Sequence, residues 1–346
     1  MTIGQDFTLG DTTELTTTAL THQSTGITIT SLSSRGAAFY FQCAVVAIGI
    51  VGTAANGLVL YALVASNQHK KHILIFNQNL LDFVTCLFLS VMYGAKFWNT
   101  YLEGTRGYWL CLTLLGEGPG WGPFIGSLIN LEAITVERYL KVVHDAWAKK
   151  NLRKWMIYAV MVFAWIGGIV IAAAVTIHTA AVVNGVCYSL AFWKDHTAQM
   201  AFGVWYFVSC YVIVLLIFIF CYGRILVTVR RQTSVMAAHS AAGSSAAPQT
   251  QSKQIQTNVI KTMMLVSVLF AITCAPLQVY FLILNVDSSL VSLRENGFYA
   301  ILFISYLYNC ANPFIYATKF DPVKRILLGL IPCKKTTQPA GNIEVA

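Results

Sequence analysis

The residues with chemical potential in this chain are polar groups set inside apolar runs. Asp82 lies in the stretch LLDFVTCLFLSVMYG, and Asn56, Ser127, Asn309 and Asn312 have equally apolar surroundings. Glu137-Arg138-Tyr139 closes another such run. A carboxylate placed in hydrocarbon is costly, so a functional role is expected for Asp82. Arg138 is costly near lipid unless paired, and Glu137 beside it is a ready partner. Together Asp82, Ser127, Asn309 and Asn312 supply an oxygen-rich set. None of this is catalytic equipment: His178 stands alone, and neither HExxH nor GxSxG occurs within the apolar runs.

Helical spacing tells which of these groups share a face. Phe124, Ser127, Leu131, Ile134 and Arg138 recur at steps of three and four, which aligns Ser127 with Arg138 about three turns away. Asn309, Asn312, Pro313 and Tyr316 form a similar stripe.

The elements that carry these stripes are long. Of 346 residues, 56% are hydrophobic and 11% charged, whereas a soluble domain carries about a quarter charged residues. Crossing a hydrocarbon core of about 30 Å takes about 20 mostly apolar residues. Seven runs qualify: 39–65, 73–96, 111–142, 155–182, 200–229, 259–286 and 295–318. Backbone in lipid must satisfy its own hydrogen bonds, so an all-α membrane protein, a bundle of seven transmembrane helices, is expected. No internal repeat or charge-lined path supports a transporter or channel.

The net charge of +9 reflects basic residues gathered at the ends of the runs. They form no stripe suited to phosphate, so a nucleic-acid partner is not expected. Of the 23 Lys and Arg residues, all but Arg35, Lys96, Arg106, Lys194 and Arg294 fall on one side of the bundle. The positive-inside rule makes that side cytoplasmic and places the amino terminus outside. Residues 1–36 are predicted to be a Ser/Thr-rich extracellular tail, 37–319 the transmembrane domain with a flexible inner loop at 232–258, and 320–346 an amphipathic helix and cytoplasmic tail.

This topology sorts the nine cysteines. Six lie within spans and read as packed apolar residues. Cys111 and Cys187 face the oxidising side, which makes a bridge between them the default. Cys333 follows the amphipathic stretch, where it is either a palmitoyl anchor or an idle thiol.

Taken in order, the motifs resemble those of rhodopsin-like G-protein-coupled receptors over roughly residues 37–333. Glu137-Arg138-Tyr139 is similar to the family's acidic-Arg-Tyr triplet, and Asn312-Pro313-Phe314-Ile315-Tyr316 to its Asn-Pro-x-x-Tyr motif. Asn56, Asp82, Trp165, Tyr222, Phe270 and Pro276 match single landmarks of helices one, two, four, five and six, and Phe320 opens what resembles the eighth helix. The resemblance implies a plasma-membrane receptor for an extracellular ligand that activates heterotrimeric G proteins. A non-signalling binder of the same fold is the alternative. It also implies that Arg138 leaves Glu137 on activation and swings toward Tyr222 and Tyr316. Pro276 and Pro313 leave carbonyls unbonded and permit bending. Asp82, Ser127, Asn309 and Asn312 resemble the family's sodium site, with an internal hydrogen-bond network as the other reading; no other cofactor is expected.

Departures from the family pattern are specific. Cys274 stands where helix six usually has Trp, Val214 replaces the helix-five Pro, and Gln256 leaves the inner end of helix six without an acid. The interval from Cys111 to Arg138 is two residues longer than usual, with the Gly116–Gly120 stretch (GEGPG) as the expected distortion. Gly120 occupies the position of the amine receptors' Asp, and Tyr306 that of the opsins' Lys. The resemblance therefore implies a peptide or a small non-amine molecule as ligand, held by Glu117, Trp121, Phe124, Tyr206, Gln278, Phe281, Tyr299 and Tyr306. Glu117 is expected either to bind a ligand cation or to pair with Lys96 or Lys194. Glu132 lies off the inward face without an assigned role.

Overall fold

The computed structural model describes residues 17–98, 101–188, 195–240, 247–287, 295–319 and 321–330. Seven long helical segments form a bundle. In chain order they are α1 (Thr17–Ala65), α2 (Ile73–Ala95), α4 (Gly118–Val143), α6 (Lys154–Thr179), α7 with α8 (His196–Phe207, Ile213–Ser240), α9 (Ala247–Val286) and α10 (Glu295–Lys319). Shorter helices are α3 (Gly104–Leu110), α5 (Asp145–Asn151) and the amphipathic eighth helix of the bundle, α11 (Asp321–Leu330).

Burial is inverted relative to a water-soluble protein. Ile219, Ile272 and Phe163 are among many apolar side chains left exposed, while Asn56, Gln78, Asp82, Ser127, Asn130 and Asn312 are fully buried. Lipid accepts the first set, and only other helices can satisfy the second. Six of the helices are long and apolar enough to cross a membrane by composition. The seventh span is α4, whose 26 residues reach about 39 Å at the α-helical rise. It is less apolar because it is central, packed against α2, α6, α8 and α9. Small residues permit that: a Cβ added at Gly126 would lie 2.9 Å from the Ala164 carbonyl oxygen, and Gly168 sits directly against Gly122.

Two spans contain π-turns. One, Cys111–Leu115, closes with Gly116 N–H donating to Cys111 O, and Glu117 follows with φ 63°. The extra length before Arg138 is thus absorbed by a wider turn and a left-handed residue. The second, Val208–Val212, separates α7 from α8, so this helix deviates without a proline at Val214. Beyond α6, β1 (Ala181–Val183) and β2 (Val186–Tyr188) form a hairpin through Asn184-Gly185, with φ of 50° and 76°. The Cys111–Cys187 disulfide ties it to the third span, with Cα atoms 5.3 Å apart.

Helical structure extends past the expected boundaries in two places. Helix α1 already starts at Thr17, within the predicted tail. Helices α8 and α9 extend to Ser240 and from Ala247, into the segment 232–258 predicted as a loop. Its Ala, Gln and Lys residues are good helix formers, which a reading for polarity overlooks. Phe320, Lys194 and Cys333, and the side chain of Gln256, lie outside the described residues.

Candidate functional site

Three polar centres lie along the bundle. The first surrounds Asp82, which α2 points into the middle. Ser127 Oγ of α4 donates to Asp82 Oδ1 at 2.7 Å, and Asn312 Nδ2 of α10 donates to Oδ2 at 2.8 Å. No cationic side chain pairs with this buried carboxylate among the described residues. The oxygens Asn309 Oδ1 and Asn312 Oδ1 are buried without a hydrogen-bond donor. Ser127 and Asn312 thus meet Asp82 directly. Asn309 differs: its backbone carbonyl accepts from Asn56 Nδ2 at 3.1 Å, while its side chain makes no hydrogen bond.

Around Asp82 lies a network that the motif reading missed. Asn130 Nδ2 donates to Gln78 Oε1 at 2.8 Å, Gln78 Nε2 donates to Ser127 Oγ, and Asn77 Nδ2 donates to Asn130 Oδ1 at 2.9 Å. Trp165 Nε1 completes it with a 3.0 Å bond to Asn77 Oδ1, joining α6 to α2. The signal was the run Asn77-Gln78-Asn79 inside an apolar span.

The second centre is Arg138, 6% exposed. Its Nη2 lies 3.4 Å from Glu137 Oε2 and 3.3 Å from His72 Nδ1. Lys141, one turn on, also binds Glu137. Burial, then the charge of Arg138, pushes the pKa of His72 down to about 4, so its neutral ring accepts from the guanidinium. Tyr222 is engaged elsewhere, its hydroxyl 3.1 Å from both Thr135 Oγ1 and Ser267 Oγ. The Tyr316 hydroxyl is buried without a partner. Tyr139 turns away and meets His144 Nε2 at 3.1 Å. Pro313 lies inside α10.

Nearer the disulfide is the third centre, a cavity of about 250 Å3. Glu117, Trp121, Tyr206, Gln278 and Phe281 line it, together with Thr176, Thr179, Phe202 and Phe298, which the sequence reading did not single out. Phe124 and Tyr306 belong instead to a smaller adjoining recess that also touches Glu117 and Trp121. Tyr299 is in neither; it stacks on Phe41 with ring centres 4.7 Å apart. Spacing put it on the right helix, but the neighbouring ring from α1 captured it. Glu117 forms the ion pair with Lys96, at 2.6 Å.

Cys274, in the usual place of Trp, is buried in one cluster with Phe124, Phe270 and Tyr308. A chain of rings runs from Trp121 to Phe124, Tyr308 and Phe270, with successive centres 5.3, 6.4 and 5.6 Å apart. The Tyr308 hydroxyl accepts from Gln78 Nε2 at 3.4 Å, so the rings connect with the network around Asp82.

The chain is thus a seven-helix membrane bundle with a buried Arg-Glu pair at one end, a cavity near the other and a buried carboxylate between them. Residues 55–316 match the 7 transmembrane receptor (rhodopsin family), and the chain belongs to that family. It is similar to the mouse (Mus musculus) somatostatin receptor type 3, being 25% identical over 311 residues that cover 86% of this chain and 69% of the mouse protein.

Proposed function

We propose that this protein is a plasma-membrane receptor, amino terminus outside, which binds a peptide or a small molecule in the cavity beside Glu117 and activates heterotrimeric G proteins through Arg138. The observation that carries this reading is the state of Arg138. It is buried, held by the adjacent Glu137 and by a neutral imidazole, and its Nε has no acceptor. Such a cation is poised to exchange partners, and the unpartnered Tyr316 hydroxyl is available to it. The mouse relative, by its name a receptor for somatostatin, supports ligand binding; its ligand is not carried over at 25% identity.

A sodium ion would be held by Asp82, Ser127 and the free amide oxygen of Asn312, supplying the positive charge that the buried carboxylate lacks. The unpartnered amide oxygen of Asn309 is the fourth candidate donor.

Guanine-nucleotide exchange in membranes tests the coupling. Arg138→Lys and Arg138→Ala are expected to reach the surface and lose exchange, because an ammonium cannot imitate a planar guanidinium. Glu137→Gln is expected to raise basal exchange. Wild-type signalling by Arg138→Ala at equal surface density contradicts the reading. Cys274 in place of Trp favours a second reading, a non-signalling binder, for which no variant changes exchange.

A further inference from the structure

Among the described residues lining the cavity Glu117 is the charged one, and its two carboxylate oxygens are used unequally. Oε1 accepts from Lys96 Nζ at 2.6 Å and from Tyr93 OH at 2.8 Å. Among the described residues Oε2 has a single, long contact, 3.4 Å to Tyr306 OH. A carboxylate offers about four lone-pair sites, so Oε2 retains unused acceptor capacity.

The counter-ion does not share the cavity. Lys96 is absent from its lining and lies over the ring of Tyr93, 4.2 Å from the centroid. A molecule in the cavity therefore reaches the carboxylate without touching Lys96. Glu117 is also held in a left-handed conformation, φ 63°, between the π-turn and the start of α4. That backbone is costly for a residue with a Cβ and is found at positions where the side chain must be aimed.

A second acceptor points the same way. Gln278, 3% exposed, lines the cavity, and its Oε1 is buried with no donor among the described residues. Trp121, Phe202, Tyr206, Phe281 and Phe298 supply the remaining walls. Aromatic faces attract cations, and a desolvated pairing with a carboxylate discriminates strongly against neutral groups.

We propose that the ligand carries one cationic nitrogen centre, an ammonium or guanidinium on an apolar body, whose N–H donors meet Glu117 Oε2 and Gln278 Oε1. This rests on the receptor reading and deepens it: the cation is either a basic side chain of a peptide or a free organic cation, and the latter would revise the expectation of a non-amine small molecule, because Glu117 supplies the acid that Gly120 does not.

The test uses the full-length receptor purified in lipid nanodiscs, with thermal stabilisation as the measure of binding. One arm compares 2-(2-naphthyl)ethylammonium with its neutral N-acetyl analogue and with 2-naphthylacetate. The other compares a Phe-Trp-Arg peptide amide with the same peptide carrying citrulline. At least one cationic probe is expected to bind saturably, at least about tenfold tighter than its neutral partner, and the tighter arm identifies the source. Glu117→Gln should abolish the preference. Lys96→Met, which removes the competing cation and keeps the acid, should strengthen cation binding. The proposal is overturned if no cationic probe binds, if neutral or anionic probes bind as well, or if both variants leave the preference unchanged. Such a failure would not touch the receptor reading, which stands or falls on the exchange measured with Arg138 variants.

Discussion

Arg138 Nη2 lies 3.3 Å from His72 Nδ1, which links the end of α4 to the turn preceding α2. The ring can accept only while neutral, and its environment enforces that. Burial, the largest cause, and the charges of Arg138, Lys141 and Lys71 together lower the pKa from 6.5 to about 4, with Glu137 opposing them. The depressed value means the folded state resists protonation more than the unfolded state does. The stabilisation is therefore complete above pH 6.5 and is lost as pH falls toward about 4. Thermal unfolding of the purified receptor should show that loss. His72→Asn, which keeps an acceptor and does not titrate, should flatten the profile in this window; an unchanged slope counts against the contact.

The buried, unpaired Asp82 leads to a prediction about ions. An ion that binds only the folded protein raises its melting temperature. Sodium should stabilise the wild type relative to an equal concentration of N-methylglucamine, and Asp82→Asn should lose the difference. Equal melting of wild type in both salts would leave the network around Gln78 and Asn130 as the whole explanation of these residues.

Close approach of α4 and α6 can be tested with a methyl group. At Gly126 an added Cβ meets the Ala164 carbonyl oxygen at 2.9 Å, whereas at Gly94 nothing lies within 4 Å. Gly126→Ala should lower stability by about 1–3 kcal/mol, the usual range for overpacking. Gly94→Ala should not. The comparison of melting temperatures fails to support this packing if the two variants behave alike.

The bridge between Cys111 and Cys187 restrains the hairpin beside the third span. Peptide mapping of surface protein should recover these two cysteines as one linked pair. Removing such a cross-link costs about 2–4 kcal/mol, so Cys111→Ala should reduce surface expression. The double variant with Cys187→Ala should be no worse than either single change, because the bond is already gone.

The sequence by itself determined the bundle. Seven apolar runs leave a chain no other way to satisfy its backbone in lipid, and the sorting of cysteines by side identified Cys111 and Cys187. It also marked Asp82, Ser127, Asn312 and Arg138, since polar groups in apolar runs stand out without coordinates. What it left open was partnership. Helical periodicity says which residues share a face, not which side chain on a neighbouring helix reaches them. So Lys96 and Lys194 were equal candidates for Glu117, and Tyr299 was placed in a cavity it does not line. The ties of His72 to Arg138 and of Trp165 to Asn77 cross between helices and have no local signature. The π-turns at Cys111–Leu115 and Val208–Val212 rotate everything beyond them, and that rotation depends on packing against the other helices. Tertiary structure decided those contacts because each one depends on how two helices are turned toward one another.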